Sequence, residues 1–117
     1  MNLPKFAIML NVAVFLIGVS LDFGSTEIAM RVLPNVREQS NFWRWTMEQG
    51  IFEILTLGNM FLWTLPFLVA NKIVEKRGGE RKEVLQHIVA MFSSLSLGLG
   101  IIHLQAGIGN VRLLGVI

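Results

Sequence analysis

Residues 6–30 read FAIMLNVAVFLIGVSLDFGSTEIAM, and after Lys5 no charge interrupts the run until Asp22 and Glu27. A helix crosses the roughly 30 Å hydrocarbon core of a bilayer with about 20 mostly apolar residues, so this run is long enough to span. Residues 51–74 form a second such run, carrying Glu53 and Lys72, and residues 84–105 form a third that follows a block of charge. The sequence therefore predicts an all-α integral membrane protein with three transmembrane helices, about 6–30, 51–74 and 84–105. A single domain, 1–117, ends in a short apolar C-terminal tail.

Composition points the same way. Apolar residues make up 53% of the 117 residues and charged residues 15%, and the mean hydropathy is +0.60. A soluble domain averages about 25% charged. The absence of cysteine excludes a disulfide framework, a CxxC metal site and a thiol nucleophile. Ten Lys and Arg against eight Asp and Glu are too evenly balanced for a nucleic-acid footprint, so no nucleic acid is expected as a partner. Lys5 with Gly18 and Ser20 also fits a secretory leader; the segment is read as a retained helix.

Basic residues stay preferentially on the cytoplasmic side. With three spans, Lys5, Lys72, Lys76, Arg77, Arg81 and Lys82 share one side, and Arg31, Arg37, Arg44 and Arg112 the other. The expectation is a cell-membrane protein with its N-terminus cytoplasmic and its C-terminus outside. The run from Lys72 to Glu83 reads as a solvated turn around Gly78-Gly79, with an anionic-lipid or docking patch as the other reading.

Helices in lipid gain little by hiding apolar side chains from one another, so their contact faces carry small and polar residues. Ser93, Ser96, Gly100, His103, Gly107 and Asn110 recur at heptad spacing on the third helix. A second stripe, Ser94, Gly98, Gln105 and Gly109, lies beside it. Asn11, Gly18, Asp22, Ser25 and Ala29 repeat the device on the first helix, and Thr56, Asn59, Trp63, Pro66 and Ala70 on the second. The first stripe together with Gly18 and Asp22 is expected to pack against partner helices, because the third helix carries more small surface than two neighbours require. Phe42, Trp43, Arg44 and Trp45 read as an interfacial anchor, with a quinone- or lipid-binding groove as the alternative. The tail AGIGNVRLLGVI is too short to cross again and is expected in the outer interface or against a partner.

A charge at mid-bilayer costs at least about 2.5–3.5 kcal/mol, so Asp22, Glu53 and His103 need a reason. All are expected in the outer third of the membrane. An Asp/Glu/His set can ligate a divalent metal or pass protons, though no local spacing such as HExxH joins these residues. Their other reading is structural: carboxylates paired with arginines or capping helix ends, and His103 hydrogen-bonded across the seam. His87 and His103 are sixteen positions apart, about 24 Å along a helix; they cannot ligate one haem iron together, although either can supply one ligand to a metal or haem shared with a partner. His87 itself reads as solvated or interfacial. No Ser/His/Asp set or phosphate-binding glycine loop is present.

The stretch LDFGSTEIAMRVLPNVREQSNF and the later GIGNVRLL resemble a family of small uncharacterised prokaryotic multi-span membrane proteins, in which an aspartate late in the first helix precedes Ser/Thr-Thr and an acidic residue, and an asparagine precedes the second helix. The matching positions are Asp22, Ser25, Thr26, Glu38, Asn41 and Asn110, with Phe42 where the family carries proline. The resemblance implies a topology and no activity.

Without visible catalytic equipment, the chain reads as a non-catalytic accessory subunit of a larger membrane enzyme complex, respiratory or metal-dependent and oxidising. Other membrane subunits and lipid are its expected partners, with no cofactor of its own. The alternative is a small oligomeric transporter or ion- or proton-conducting protein using Asp22 and Glu53.

Overall fold

The computed structural model describes residues 2–32 and 41–115, the side chains of 41–43 excepted. The described residues are 91% helical and form no strand. Six elements follow in order: α1 (Leu3–Val32), α2 (Asn41–Glu48), α3 (Phe52–Leu62), α4 (Leu65–Arg77), a short 3-10 turn (Gly79–Arg81) and α5 (Lys82–Leu113). Three stretches are long and apolar enough to cross a membrane: Leu3–Val32, Phe52–Arg77 and Gly79–Leu113.

Helix α1 starts where the sequence favours a start. The Asn2 side-chain oxygen accepts the backbone N–H of Lys5 at 3.0 Å, satisfying one of the free donors of the first turn. Pro4 sits in that same turn, where its missing N–H costs nothing. The helix is apolar around most of its circumference, and one face is buried: Ile8, Asn11, Val12, Phe15, Gly18, Val19 and Phe23 recur every three or four residues.

Helix α5 lies beside α1, and the two run parallel, since the bonded pairs Asn2/Gln86, Asn11/Ser93, Asp22/His103 and Thr26/Asn110 are separated by 84, 82, 81 and 84 residues. That is the geometry of first and third spans joined by a returning second. The buried residues of α5 are Gln86, Ser93, Ser96, Gly100 and Gly107, all small or polar. Outside lie Met91, Phe92, Leu95, Ile101 and Ile102. Polar inside and apolar outside is the distribution that a lipid solvent favours.

The returning span is broken. Pro66 cannot donate to the Leu62 carbonyl, and its ring crowds that carbonyl, so α3 ends at Leu62 and α4 begins at Leu65. Two carbonyls beside the break acquire side-chain donors: Thr64 Oγ1 donates to Met60 O at 2.7 Å, and Ser96 Oγ of α5 donates to Trp63 O at 2.7 Å. In a bilayer this compensation is required, because no water can serve instead. The chain turns back at Gly78-Gly79, where Gly79 adopts φ +54°, a left-handed conformation that costs glycine nothing. Around the break, the later half of α1 and the start of α3 lies the apolar core, Phe15, Val19, Phe23 and Phe52, with Met47, Met60, Trp63 and Leu99 against it.

Two boundaries differ from the sequence reading. The third helix does not stop at Gln105 but runs to Leu113, so most of the expected tail is helix; Gly107 and Asn110 lie against α1 and hold it there. The anchor segment is itself a helix, α2, in which Arg44 is half-buried and Trp45 exposed. The side chains of Phe42, Trp43 and Asn41, and all of Arg37 and Glu38, lie outside the described residues.

Candidate functional site

The α1–α5 contact is a ladder of polar rungs separated by glycine. At the end shared by the start of α1, the end of α4 and the start of α5, Gln86 is buried and bridges both neighbours. Asn2 Nδ2 donates to its Oε1 at 2.7 Å, and its Nε2 donates to Asn71 Oδ1 at 3.1 Å. Lys5 Nζ stands 2.7 Å from Glu75 Oε1 beside it. One rung further, Asn11 Nδ2 donates to Ser93 Oγ at 2.9 Å, and Ser93 Oγ donates in turn to Ala90 O at 2.8 Å.

The backbones come closest in the middle. A Cβ on Gly100 would lie 2.7 Å from both Cα and N of Phe15, and a Cβ on Gly18 would collide with the Gly100 carbonyl. Only glycine at both positions allows this approach. Gly107 repeats it against Asp22 N at 2.8 Å.

Beyond Gly100 the ladder ends in a four-residue cluster. Asp22 Oδ2 is 2.6 Å from His103 Nδ1. Asn110 Nδ2 donates to Thr26 Oγ1 at 2.8 Å and lies 3.4 Å from Asp22 Oδ1. Thr26 Oγ1 approaches that same oxygen at 3.5 Å. An ionised carboxylate only accepts, so an ionised Asp22 fixes the proton of His103 on Nδ1. The imidazole is also held by apolar rings, edge-on to Phe15 at 6.4 Å and to Phe23 at 5.2 Å between centroids. Among the described residues no buried side-chain nitrogen or oxygen lacks a hydrogen-bond partner.

Three corrections to the sequence reading follow. Ser93, Ser96, Gly100, His103, Gly107 and Asn110, with Gly18 and Asp22, were expected to meet helices of other chains; they are spent inside this one, mainly on the α1–α5 contact. Among the described residues Asp22 pairs with His103 and not with an arginine, while Glu27 takes Arg31 at 2.6 Å one turn along α1. Glu53 does not join Asp22 and His103. It is exposed at the start of α3, and Phe23 packs edge-on against both His103 and Phe52, at 5.2 and 5.5 Å. Accordingly, among the described residues no group of three or more His, Cys, Asp or Glu could hold a metal ion. His87 is exposed.

The second stripe behaves differently. Ser94, Gly98, Gln105 and Gly109 are all exposed, and a Cβ on Gly98 or Gly109 would meet nothing within 4 Å. The sequence reading left two connections unseen: the Gln86 bridge from α1 through α5 to α4, and the Ser96 bond to the broken span. Gln86 lies in the third run at heptad distance before Ser93, which is the signal that could have found it.

No family model, curated protein or solved structure matches the chain.

Proposed function

We propose that the chain is a non-catalytic accessory subunit of a larger membrane enzyme complex, of the respiratory or metal-dependent oxidising type, that stabilises partner helices. The observation that carries this reading is the exposed stripe on α5, Ser94, Gly98, Gln105 and Gly109, left over after the first stripe has closed the chain's own fold. Small residues facing lipid gain nothing there, whereas against another helix they let backbones approach. The shape supports it too. The bundle measures 58 × 31 × 17 Å, a slab thin enough to leave α5 with a broad side open. In this reading lipid and unlike membrane subunits are the partners, any metal or haem belongs to the partner, and the N-terminus and the Gly78-Gly79 turn face the cytoplasm of the cell membrane. The polar ladder then serves to keep α1 and α5 in register.

A second reading, a small oligomeric transporter or ion- or proton-conducting protein using Asp22 and Glu53, draws on Glu53. This carboxylate lies exposed beside a groove of about 250 Å³ lined with Val19, Phe23, Phe52 and Leu57.

Purification from the native source in mild detergent, followed by mass spectrometry, separates the two. Stoichiometric recovery of unlike membrane subunits, lost when Gly98 is replaced by leucine, supports the accessory role. A homo-oligomer that passes ions in liposomes, with flux abolished by Glu53→Gln, overturns it.

A further inference from the structure

Charge is distributed unevenly at the end of α4. Leu68, Val69, Lys72, Ile73, Lys76 and Arg77 line an open groove of about 400 Å³. They fall into two rows at i, i+4 spacing, Leu68-Lys72-Lys76 and Val69-Ile73-Arg77, which are neighbours on a helix surface. Along each row apolar side chains come first and cations last, so the groove is greasy toward the middle of the span and basic toward its end. The nearest carboxylate, Glu75, has its closest contacts away from the groove: Oε1 lies 2.7 Å from Lys5 Nζ of α1 and 3.4 Å from Asn71 Nδ2, and among the groove's cations only the Lys72 charge acts on it. Lys72, Lys76 and Arg77 are exposed, and among the described residues no carboxylate lines the groove.

We propose that this groove holds one anionic phospholipid, its phosphate among Lys72, Lys76 and Arg77 and the upper part of an acyl chain along Leu68, Val69 and Ile73. The two ends of the occupant follow from the two ends of the groove. Arg77 offers a fork of donors matched to phosphate oxygens, and the lysines add point charges on stems that lie along apolar surface. The headgroup's net charge follows from the missing carboxylate: the ammonium of a zwitterionic lipid finds no partner, so a headgroup without one is preferred.

The test is native mass spectrometry of the full chain released from micelles containing phosphatidylglycerol or phosphatidylcholine. One retained phosphatidylglycerol is expected, with phosphatidylcholine lost on release. Each cation near an anionic lipid contributes enough that the triple variant Lys72→Gln, Lys76→Gln, Arg77→Gln lowers occupancy on the order of tenfold to a hundredfold. The exchange Lys72→Arg, Lys76→Arg, Arg77→Lys keeps the lipid, as does Arg81→Gln with Lys82→Gln, which removes nearby charge from outside the groove. Equal retention of phosphatidylcholine, or equal loss from the Arg81 and Lys82 variant, overturns the proposal. Displacement of the lipid by inorganic phosphate overturns it as well, since the site would then hold a free anion.

Discussion

Asp22 of α1 and His103 of α5 meet at 2.6 Å across two parallel helices, each supplying the polar group that the other needs in order to lie inside a membrane. Neither is placed for solvent, with side chains 14% and 20% exposed. The contact turns two residues that are individually costly in lipid into one rung of the fold.

That contact should be measurable as a coupling. Asp22→Asn and His103→Asn each destabilise the folded state in detergent, and the double variant loses less than the sum. A double-mutant cycle by reversible unfolding is expected to return about 0.5–2 kcal/mol, the range found for polar pairs between membrane helices. Strict additivity would mean that the two residues act independently.

Gly98 and Gly100, two residues apart on α5, should respond differently. Gly100→Ala puts a Cβ 2.7 Å from the Phe15 backbone, and since backbone cannot rotate aside the helices must separate, at about 1–3 kcal/mol. Gly98→Leu enters open space and leaves the thermal midpoint of the isolated chain unchanged, while abolishing recovery of partner subunits. Equal destabilisation by the two would contradict the α1–α5 packing.

The broken span gives a conditional prediction. Ser96→Ala leaves Trp63 O without its hydroxyl donor and costs about 1–2 kcal/mol. On a Pro66→Leu background the backbone can close its own hydrogen bonds across the break, and the same replacement then costs less than about 0.5 kcal/mol. Hydrogen exchange at residues 62–68 checks the closure directly, because healing the helix slows exchange there.

Gln86 and Lys5 set a contrast of magnitude at one end of the bundle. Gln86→Leu removes the partner of Asn2 Nδ2 and of Oδ1 of the buried Asn71 and is expected to cost about 1–3 kcal/mol. Lys5→Met breaks an ion pair whose lysine side chain is 35% exposed, and such pairs contribute less than about 1 kcal/mol and fade with salt. Unfolding at low and high ionic strength distinguishes the two: the Lys5 effect disappears, and the Gln86 effect persists.

The spans were legible because their length and lack of charge admit one solvent, and the 3,4 spacing of Ser93, Ser96, Gly100, His103, Gly107 and Asn110 identified the packing face. Which helix that face meets was not legible. A glycine permits close approach by any backbone, and nothing local distinguishes Phe15 of the same chain from a foreign helix. The extension of α5 was missed because AGIGNVRLL contains weak helix formers; its helicity depends on Gly107 and Asn110 docking on α1, a contact over eighty residues away in sequence. Pro66 was visible only as a member of a small-residue stripe. Its effect on the span required knowing that Thr64 and Ser96 could donate to the Met60 and Trp63 carbonyls at the break. Glu53 was grouped with Asp22 and His103 by depth alone, and depth says nothing about the ring of Phe23.

The bond from Ser96 to Trp63 O also bears on how the chain is made. The hydroxyl leaves the ribosome 33 residues after the carbonyl it serves. Helices of 11 and 13 residues are each about 16–20 Å long, too short to cross alone. Until Ser96 emerges, the returning segment carries an exposed flaw that the insertion machinery must shelter. Nascent chains truncated before residue 96 should therefore stay associated with that machinery, while longer ones partition into the bilayer.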